Sequence, residues 1–313
     1  MGCSVSIVIA TKGRLDGLAR LFASLKNIPH WREIRPQVII GNNADEPGLA
    51  RAVQELVEGF GREVEAVRHL RETNPAGPRA KCRTQNLAIS QAEGDIVAFL
   101  DDDVEVAPEW LGAVRDFFGS RVFDAMQGAI LVPPEMRNNQ DFLRAYHRYR
   151  TIPFLQYGAD MVEIRTLTGA NMAMRRELFS RVGLFDERLG PGRSGISEDV
   201  EFAQRILLRG GRIGYEPRAA VYHEVDWSRL TEEFFRLRHE QQGRSRLLYK
   251  RNSLFSVISN LMRAVWSLGW FFLIGNERRK YRAKGRYYHY RAMLLEKFKK
   301  FKTFKMFQPF NTP

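Results

Sequence analysis

The chain has 313 residues, 44% hydrophobic and 27% charged, which is enough apolar matter for a full core and too much for a disordered chain. Its only cysteines, Cys3 and Cys82, stand far apart without metal-ligand spacing, so neither a disulfide framework nor a cysteine-based metal site is implied and a reducing compartment fits. The net charge of +13 is uneven: residues 1–243 hold 32 Lys and Arg against 34 Asp and Glu, whereas residues 244–313 hold 17 against 2, so a near-neutral body carries a basic tail.

Residues 4–10 (Ser-Val-Ser-Ile-Val-Ile-Ala) are rich in β-branched side chains and predict a first strand. No basic region followed by an apolar stretch precedes it, so no secretory signal is expected. The polar turn Thr11-Lys12-Gly13-Arg14 runs into helical spacing at Leu18, Leu21, Phe22 and Leu25, the first half of a βαβ unit. Strands are predicted over 37–41 and 63–67 with a helix over 49–60 between them. A loop over 73–78 and a helix over 79–92 follow.

The next stretch is Gly94-Asp95-Ile96-Val97-Ala98-Phe99-Leu100-Asp101-Asp102-Asp103. Its apolar middle reads as a strand buried on both faces of a parallel sheet. Three carboxylates follow at its carboxyl end, the edge where open α/β sheets bind ligands. Crowded carboxylates raise one another's pKa unless a cation sits among them. Mg²⁺ or Mn²⁺ removes that penalty and can bridge diphosphate oxygens. A solvated acidic loop is the alternative at this point.

Downstream, a helix is predicted over 109–118, a strand over 125–132 and a helix over 141–149. Thr168-Gly169-Ala170-Asn171-Met172-Ala173-Met174 is small and apolar, a strand that approaches a ligand closely at Gly169 and Asn171. After a helix over 175–182, the loop Gly190-Pro191-Gly192-Arg193-Ser194-Gly195 is expected to be mobile and delivers Ser197-Glu198-Asp199 to a helix over 200–209. Ser197 can cap that helix, and acids there suit its dipole. Two short extended pieces, 212–215 and 219–222, end at His223.

Taken in order, these motifs resemble the family 2 glycosyltransferases, inverting enzymes of the GT-A fold that use nucleotide-diphosphate sugars. The pieces are Ser4–Thr11, Val38–Asp45, Asn86–Leu111 with its acidic triplet, Gly169–Arg176, Val182-Gly183-Leu184-Phe185-Asp186-Glu187, Glu198-Asp199 and Ala220-Val221-Tyr222-His223. The resemblance covers residues 4–223. It implies that Thr11 and Arg14 lie at the nucleotide end of the first strand, that Asp101 contacts the nucleotide's sugar, and that Asp102 is the more structural acid. It implies that Asp103, with Asp101, ligates Mg²⁺ or Mn²⁺, and that His223 completes the metal site. Asp199 matches the catalytic base and Glu198 lies beside it near the acceptor. Asn42 stands where relatives carry a base-reading Asp, and Gln85-Asn86 where they carry Arg-Asn. Lys81 matches a diphosphate-binding Lys of another branch, with Arg79 and Arg83 as rivals.

In the tail, residues 253–275 include 15 apolar residues in 23, near the length of a membrane span. Ser256, Asn260, Arg263 and Ser267 fall on one stripe, which favours a helix lying in the interface. A second helix, over 280–304, sets Tyr287, Tyr290, Leu294, Phe298 and Phe301 opposite Lys and Arg, a pattern that suits anionic lipid. A helical hairpin packed on protein is the alternative; nucleic acid is not expected, because no nucleic-acid module is visible.

The expected architecture is thus a GT-A α/β domain over 1–228 and a basic helical extension over 229–313. The expected site is cytoplasmic, peripheral on the membrane's cytoplasmic face. The expected partners are a nucleotide-diphosphate sugar and a glycan or lipid-linked acceptor. Two competing functions are a sugar-nucleotide nucleotidyltransferase, for which the turn at 11–14 is too short to hold a triphosphate, and a non-catalytic adaptor, which would lack the acids.

Overall fold

A computed structural model describes residues 3–29, 31–73 and 80–306. The loop expected over 73–78 therefore falls almost wholly outside the described residues, as does Arg79. In chain order the elements are β1 (Val5–Thr11), α1 (Leu15–Lys26), α2 (Trp31–Ile34), β2 (Gln37–Asn42), α3 (Pro47–Gly61), β3 (Val67–Arg71), α4 (Lys81–Ile89), β4 (Ile96–Asp101), β5 (Val104–Val106), α5 (Trp110–Gly119) and β6 (Ala125–Leu131). They continue with α6 (Gln140–Tyr149), β7 (Val162–Ile164), β8 (Asn171–Arg175), α7 (Leu178–Val182), α8 (Glu198–Leu208), β9 (Ile213–His223), α9 (Glu232–Tyr249), α10 (Leu254–Leu273) and α11 (Glu277–Met306).

Two compact units result. The first comprises the chain up to Arg137 with Pro153–Arg193 and Glu198–Val225. It holds a sheet of order β3-β2-β1-β4-β8-β6-β9-β5, with β7 on β9. The β3-β2-β1-β4 half is parallel, as the βα alternation requires. Strand β8 then runs antiparallel to β4 and to β6. Chain order reverses at β1, which lies between β2 and β4, and such a switch point opens a crevice beyond the strands' carboxyl ends.

Alternation along the strands builds one core on each face. Ile7, Ile9, Ala98 and Leu100 face Leu18, Leu21, Val53, Val57 and Trp110 of α1, α3 and α5. Val8, Val97 and Phe99 face Cys82, Ile89, Leu178 and Phe202 of α4, α7 and α8. Phe99 is fully buried and meets Phe185 edge-on at 5.5 Å; burial of that side chain contributes about 1.5–3 kcal/mol.

Two sequence expectations shift. The third strand begins at Val67, not 63, because the chain turns at Ala66 with φ 57°. The two pieces around Pro217 form one strand, β9: Gly128 pairs with Glu216 and Ala129 with Ala220, so the register shift on β6 leaves Pro217, which has no N–H, out of the ladder.

The second unit comprises Asn138–Ile152, Ser194–Ser197 and the chain from Asp226. Helix α9 starts at Thr231, whose side chain accepts from Phe234 N, a capping box without the reciprocal acid. Helices α9 and α11 cross closely at two glycines. A Cβ on Gly243 would sit 2.2 Å from the His289 carbonyl oxygen, and one on Gly285 2.5 Å from His239 Nε2. Phe235 is buried there among Tyr149, His239 and Tyr281. On α11 the buried face runs through Ala283, Ala292 and Met293, whereas Phe298 of the expected aromatic face is half exposed. Helix α10 buries Val257 and Ala264 and exposes Phe255, Met262, Trp266, Phe272 and Leu273. No helix among the described residues is long and apolar enough to cross a membrane.

Candidate active site

Parallel pairing aligns the ends of three strands. Thr11 of β1 pairs with Asn42 of β2, and Ala10 with Asp101 of β4, so the acidic triplet opens at the switch-point crevice. Beyond β4 the three acids diverge. Asp102 turns back, and its carboxylate accepts from Thr11 Oγ1 at 2.5 Å. Burial and the adjacent Asp103 push its carboxyl up to about 6. The same turn is braced by α1: a Cβ on Gly17 would lie 2.4 Å from the Asp102 carbonyl oxygen, so only glycine allows that approach.

Asp103 is buried and is held by Arg14, whose Nη1 donates to Oδ2 at 2.6 Å. Its Oδ1 lies 3.5 Å from Nε2 of His223, which is also buried. His223 Nδ1 is 2.8 Å from the Glu224 carbonyl oxygen. A carbonyl only accepts, so Nδ1 carries the proton and Nε2 faces the carboxylate. In the neutral ring, a nitrogen lone pair and a carboxylate oxygen then turn to one point, a donor set that fits Mn²⁺ and, less readily, Mg²⁺. Asp101 does not join them. Its carboxylate accepts from Lys81 Nζ, and among the described residues no three His, Cys, Asp or Glu side chains form a metal-holding group.

Lys81 opens α4 and is the junction of the site. Besides Asp101 it reaches Glu198 Oε1 at 3.9 Å. Burial alone would disfavour its charge, but Asp101, Glu198 and Asp199 outweigh burial and hold its pKa above the ordinary lysine range. Its rival Arg83 instead pairs with Glu72 at 3.4 Å.

Asp199 sits at the start of α8, half-buried, with Oδ2 accepting from Gly169 N at 2.9 Å and Oδ1 from Val200 N at 2.7 Å. Backbone donors of this kind favour the ionised carboxylate. Glu198 is buried; burial and the Asp199 charge raise its carboxyl to about 7, against the opposing pull of Lys81. Gly169 fits between them: a Cβ there would be 3.4 Å from Lys81 Nζ and 3.9 Å from Asp199 Oδ2. Ser197 has φ 83°, outside the extended conformation of a capping residue, so the expected cap does not form in that way.

Two residues expected at the ligand have side chains that are buried and hydrogen-bonded within the protein. Asn171 is fully buried; its Nδ2 donates to the Ala129 and Ala219 carbonyls, and its Oδ1 accepts from Trp110 Nε1. It braces the β6–β9 register shift and presents no surface to a cleft. Asn42 is likewise fully buried, donating to Ala50 O and accepting from Ala44 N and Arg71 Nη1. The glycine loop before α8 is tied within each unit. Lys81 N donates to Pro191 O, and Ser245 Oγ to Ser194 Oγ at 2.8 Å.

A family model for glycosyltransferase like family 2 matches residues 3–245. The pre-mycofactocin glycosyltransferase of Mycobacterium tuberculosis is 26% identical over 225 residues, 70% of this chain and 42% of that protein, so this chain spans less than half of that relative's length. The succinoglycan biosynthesis protein ExoM of Rhizobium meliloti is 29% identical over 274 residues, 84% of this chain and 79% of that protein. The mannosyltransferase PcManGT from Pyrobaculum calidifontis, solved in complex with GDP-Man and Mn²⁺, superposes with a TM-score of 0.61 at 15% identity, covering 95% of this chain and 88% of that one. S. aureus TarS 1–349 in complex with UDP gives 0.54 at 18%, covering 95% and 91%. These likenesses show a shared fold, the GT-A arrangement.

Proposed function

The chain belongs to glycosyltransferase like family 2, and from that premise we propose that it moves a sugar, with inversion, from a nucleotide-diphosphate donor to an acceptor hydroxyl. One observation carries the reading: Lys81 and Gly169 gather Asp101, from the end of β4, and Asp199, from the start of α8, into one site. Acids are needed at both places in such a transfer.

Asp199 acts as the general base. Its carboxylate is oriented by Gly169 N and Val200 N and takes the proton from the attacking hydroxyl. Glu198, raised toward neutrality, holds a proton or a hydrogen bond beside the acceptor. Asp101 meets the nucleotide's sugar, and Lys81 serves the diphosphate once a ligand draws it from Asp101. Thr11 and Asp102 keep the triplet's turn in place.

Asp103 and His223 would hold a divalent cation, positioned by Arg14 and by the Glu224 carbonyl. Bound there, the cation supplies Lewis-acid stabilisation of the leaving diphosphate. The PcManGT complex, with GDP-Man and Mn²⁺, supports this reading by analogy of fold.

Catalysis is assigned to residues 1–228 and membrane association to 229–313, through the exposed apolar face of α10 and the basic residues that follow. The acceptor is then a lipid-linked or polymeric glycan of the cell envelope, in keeping with the succinoglycan relative. The test is calorimetric titration with UDP, dTDP and GDP, with and without Mn²⁺, on the protein and on Asp103→Ala. Metal-dependent binding of one diphosphate, lost in the variant, is expected. Absence of binding to all three under both conditions would overturn the proposal.

A further inference from the structure

The helical unit contains a cavity of about 380 Å³ between the end of α6, α9 and α11. That volume is sufficient for a small ligand or headgroup. Its charged lining is Arg148, Arg150, Arg246, Arg278, Arg282 and Arg286, with no Asp or Glu among the lining residues. The floor is formed by Phe235, Tyr281, His239 and His289, where the close crossing at Gly285 brings α11 onto α9.

The arginines are placed against the ordinary preferences of a helix. Arg278, Arg282 and Arg286 repeat at i, i+4 and i+8 on one stripe of α11, and like charges at that spacing destabilise a helix. Three other cations of α11 are paired with carboxylates. Lys280 pairs with Glu277, Lys284 with Glu232 at 2.6 Å, and Arg291 with Glu240 at 3.4 Å. Among the described residues, Arg150, Arg278, Arg282 and Arg286 have no carboxylate within ion-pair distance. Arg148 is shared between Glu277 at 3.6 Å and the Tyr281 ring, and Arg246 reaches only the Asn252 amide oxygen. Four guanidiniums without a carboxylate partner thus converge on one cavity.

The histidines do not add to it. Burial, with Arg238 for His239 and Arg246 for His289, lowers both to about 4, so each is a neutral ring at pH 7. Neutral imidazoles on a floor below guanidiniums offer hydrogen bonds without further repulsion. Planar guanidinium forks match the oxygens of a phosphate in pairs, which lysines cannot do.

We propose that this cavity is a binding site for a phosphate group, a monoester or a diphosphate, held by the guanidiniums of Arg278, Arg282 and Arg286 on α11 and of Arg150 and Arg246 opposite. Its ligand is either a soluble phosphate ester or the terminal phosphate of a lipid. The inference rests on the helical unit alone and stands whether or not the transfer reaction above is correct.

The experiment has two arms, both on the full chain in chelator. Calorimetry with inorganic pyrophosphate is run on the protein, on Asp103→Ala and on the double variant Arg282→Gln/Arg286→Gln. Flotation compares phosphatidylcholine vesicles doped with phosphatidic acid, which ends in a phosphomonoester, with vesicles doped with phosphatidylglycerol, which does not. Pyrophosphate should bind the protein and Asp103→Ala alike and weaken by about tenfold or more in the double variant. Preference for phosphatidic acid, lost in the same variant, assigns the ligand to lipid; pyrophosphate binding without that preference assigns it to a soluble ester. Should the double variant lose helical circular dichroism, Arg282→Lys/Arg286→Lys keeps the charge and removes the fork, and an intermediate loss is expected. Failure of pyrophosphate and phosphatidic acid alike, or binding unchanged in a folded variant, overturns the site. The nucleotide titration with Mn²⁺ is a separate readout, so either proposal can fail alone.

Discussion

Lys81 Nζ donates to Asp101 and lies 3.9 Å from Glu198 Oε1, so one ammonium joins the acid that ends β4 to the acids that begin α8. Three carboxylates act on it and it acts on all three. Replacing Lys81 by Met should therefore do more than remove a diphosphate contact. Without the cation the carboxylate pKa values rise, and the acidic limb of the pH–rate profile moves to higher pH. Turnover at neutral pH should fall by about 10²-fold or more, with the loss partly recovered at alkaline pH. An unmoved acidic limb would place Lys81 outside the electrostatics of the base.

Asp199 accepts from two backbone donors, an arrangement that favours a carboxylate, while Glu198 beside it is pushed toward the neutral form. Asp199→Asn keeps the shape and one of the two backbone hydrogen bonds, because its amide oxygen accepts and its NH2 does not, and it removes the proton acceptor. Transfer should fall about 10²–10⁴-fold, with nucleotide affinity nearly unchanged by calorimetry. Equal loss of nucleotide binding would show instead that Asp199 shapes the donor pocket.

Asn171 shows where sequence reasoning reaches its limit. The βα alternation, the buried strand before the triplet and the acids at its end follow from local pattern, because periodicity and burial are local properties. The role of Asn171 depends on what surrounds it: the β6–β9 register shift leaves the Ala129 and Ala219 carbonyls to its amide, and α5 offers Trp110. A polar residue in an apolar strand looks the same in sequence whether it meets a ligand or two carbonyls. Asn42 poses the same difficulty, since its partners Ala50 and Arg71 come from other elements. The two extended pieces 212–215 and 219–222 were legible, but not that they form one strand across the register shift at Pro217.

The consequence for Asn171 is measurable. Asn171→Ala strands two carbonyls and an indole N–H in a buried setting, and each costs about 1–3 kcal/mol when unsatisfied. The urea midpoint should fall by the equivalent of about 3 kcal/mol or more. Nucleotide affinity of the remaining folded protein should persist. Loss of affinity without loss of stability would restore a ligand role.

Gly17 escaped the sequence reading because a glycine inside a helical pattern carries no sign of what it approaches. A methyl at Gly17 would meet the Asp102 carbonyl oxygen at 2.4 Å, and the obstacle is backbone. Gly17→Ala should therefore displace the acidic turn, cost about 1–3 kcal/mol and weaken metal-dependent nucleotide binding together. Gly169→Ala is the comparison: its nearest neighbour is the end of Lys81 at 3.4 Å, so the melting temperature should stay near that of the parent. A stable Gly17→Ala variant with full nucleotide affinity would show that the turn yields without consequence.

Glu198 allows the protonation of the site to be read from stability alone. Its carboxyl is ordinary, near 4.5, in the unfolded chain and about 7 in the folded one. Between those values the native state binds more protons than the unfolded state, so stability falls as pH rises from about 4.5 to about 7 and levels off above. Glu198→Gln has no proton to bind and should lose that slope. Between pH 5 and 7 its stability should change less than the parent's by on the order of 1–3 kcal/mol, from urea midpoints in chelator. Identical slopes would mean that Glu198 titrates normally and is charged at neutral pH. A flattened slope means that Glu198 holds its proton near neutrality, leaving Asp199 as the ionised member of the pair and hence the one able to accept the acceptor's proton.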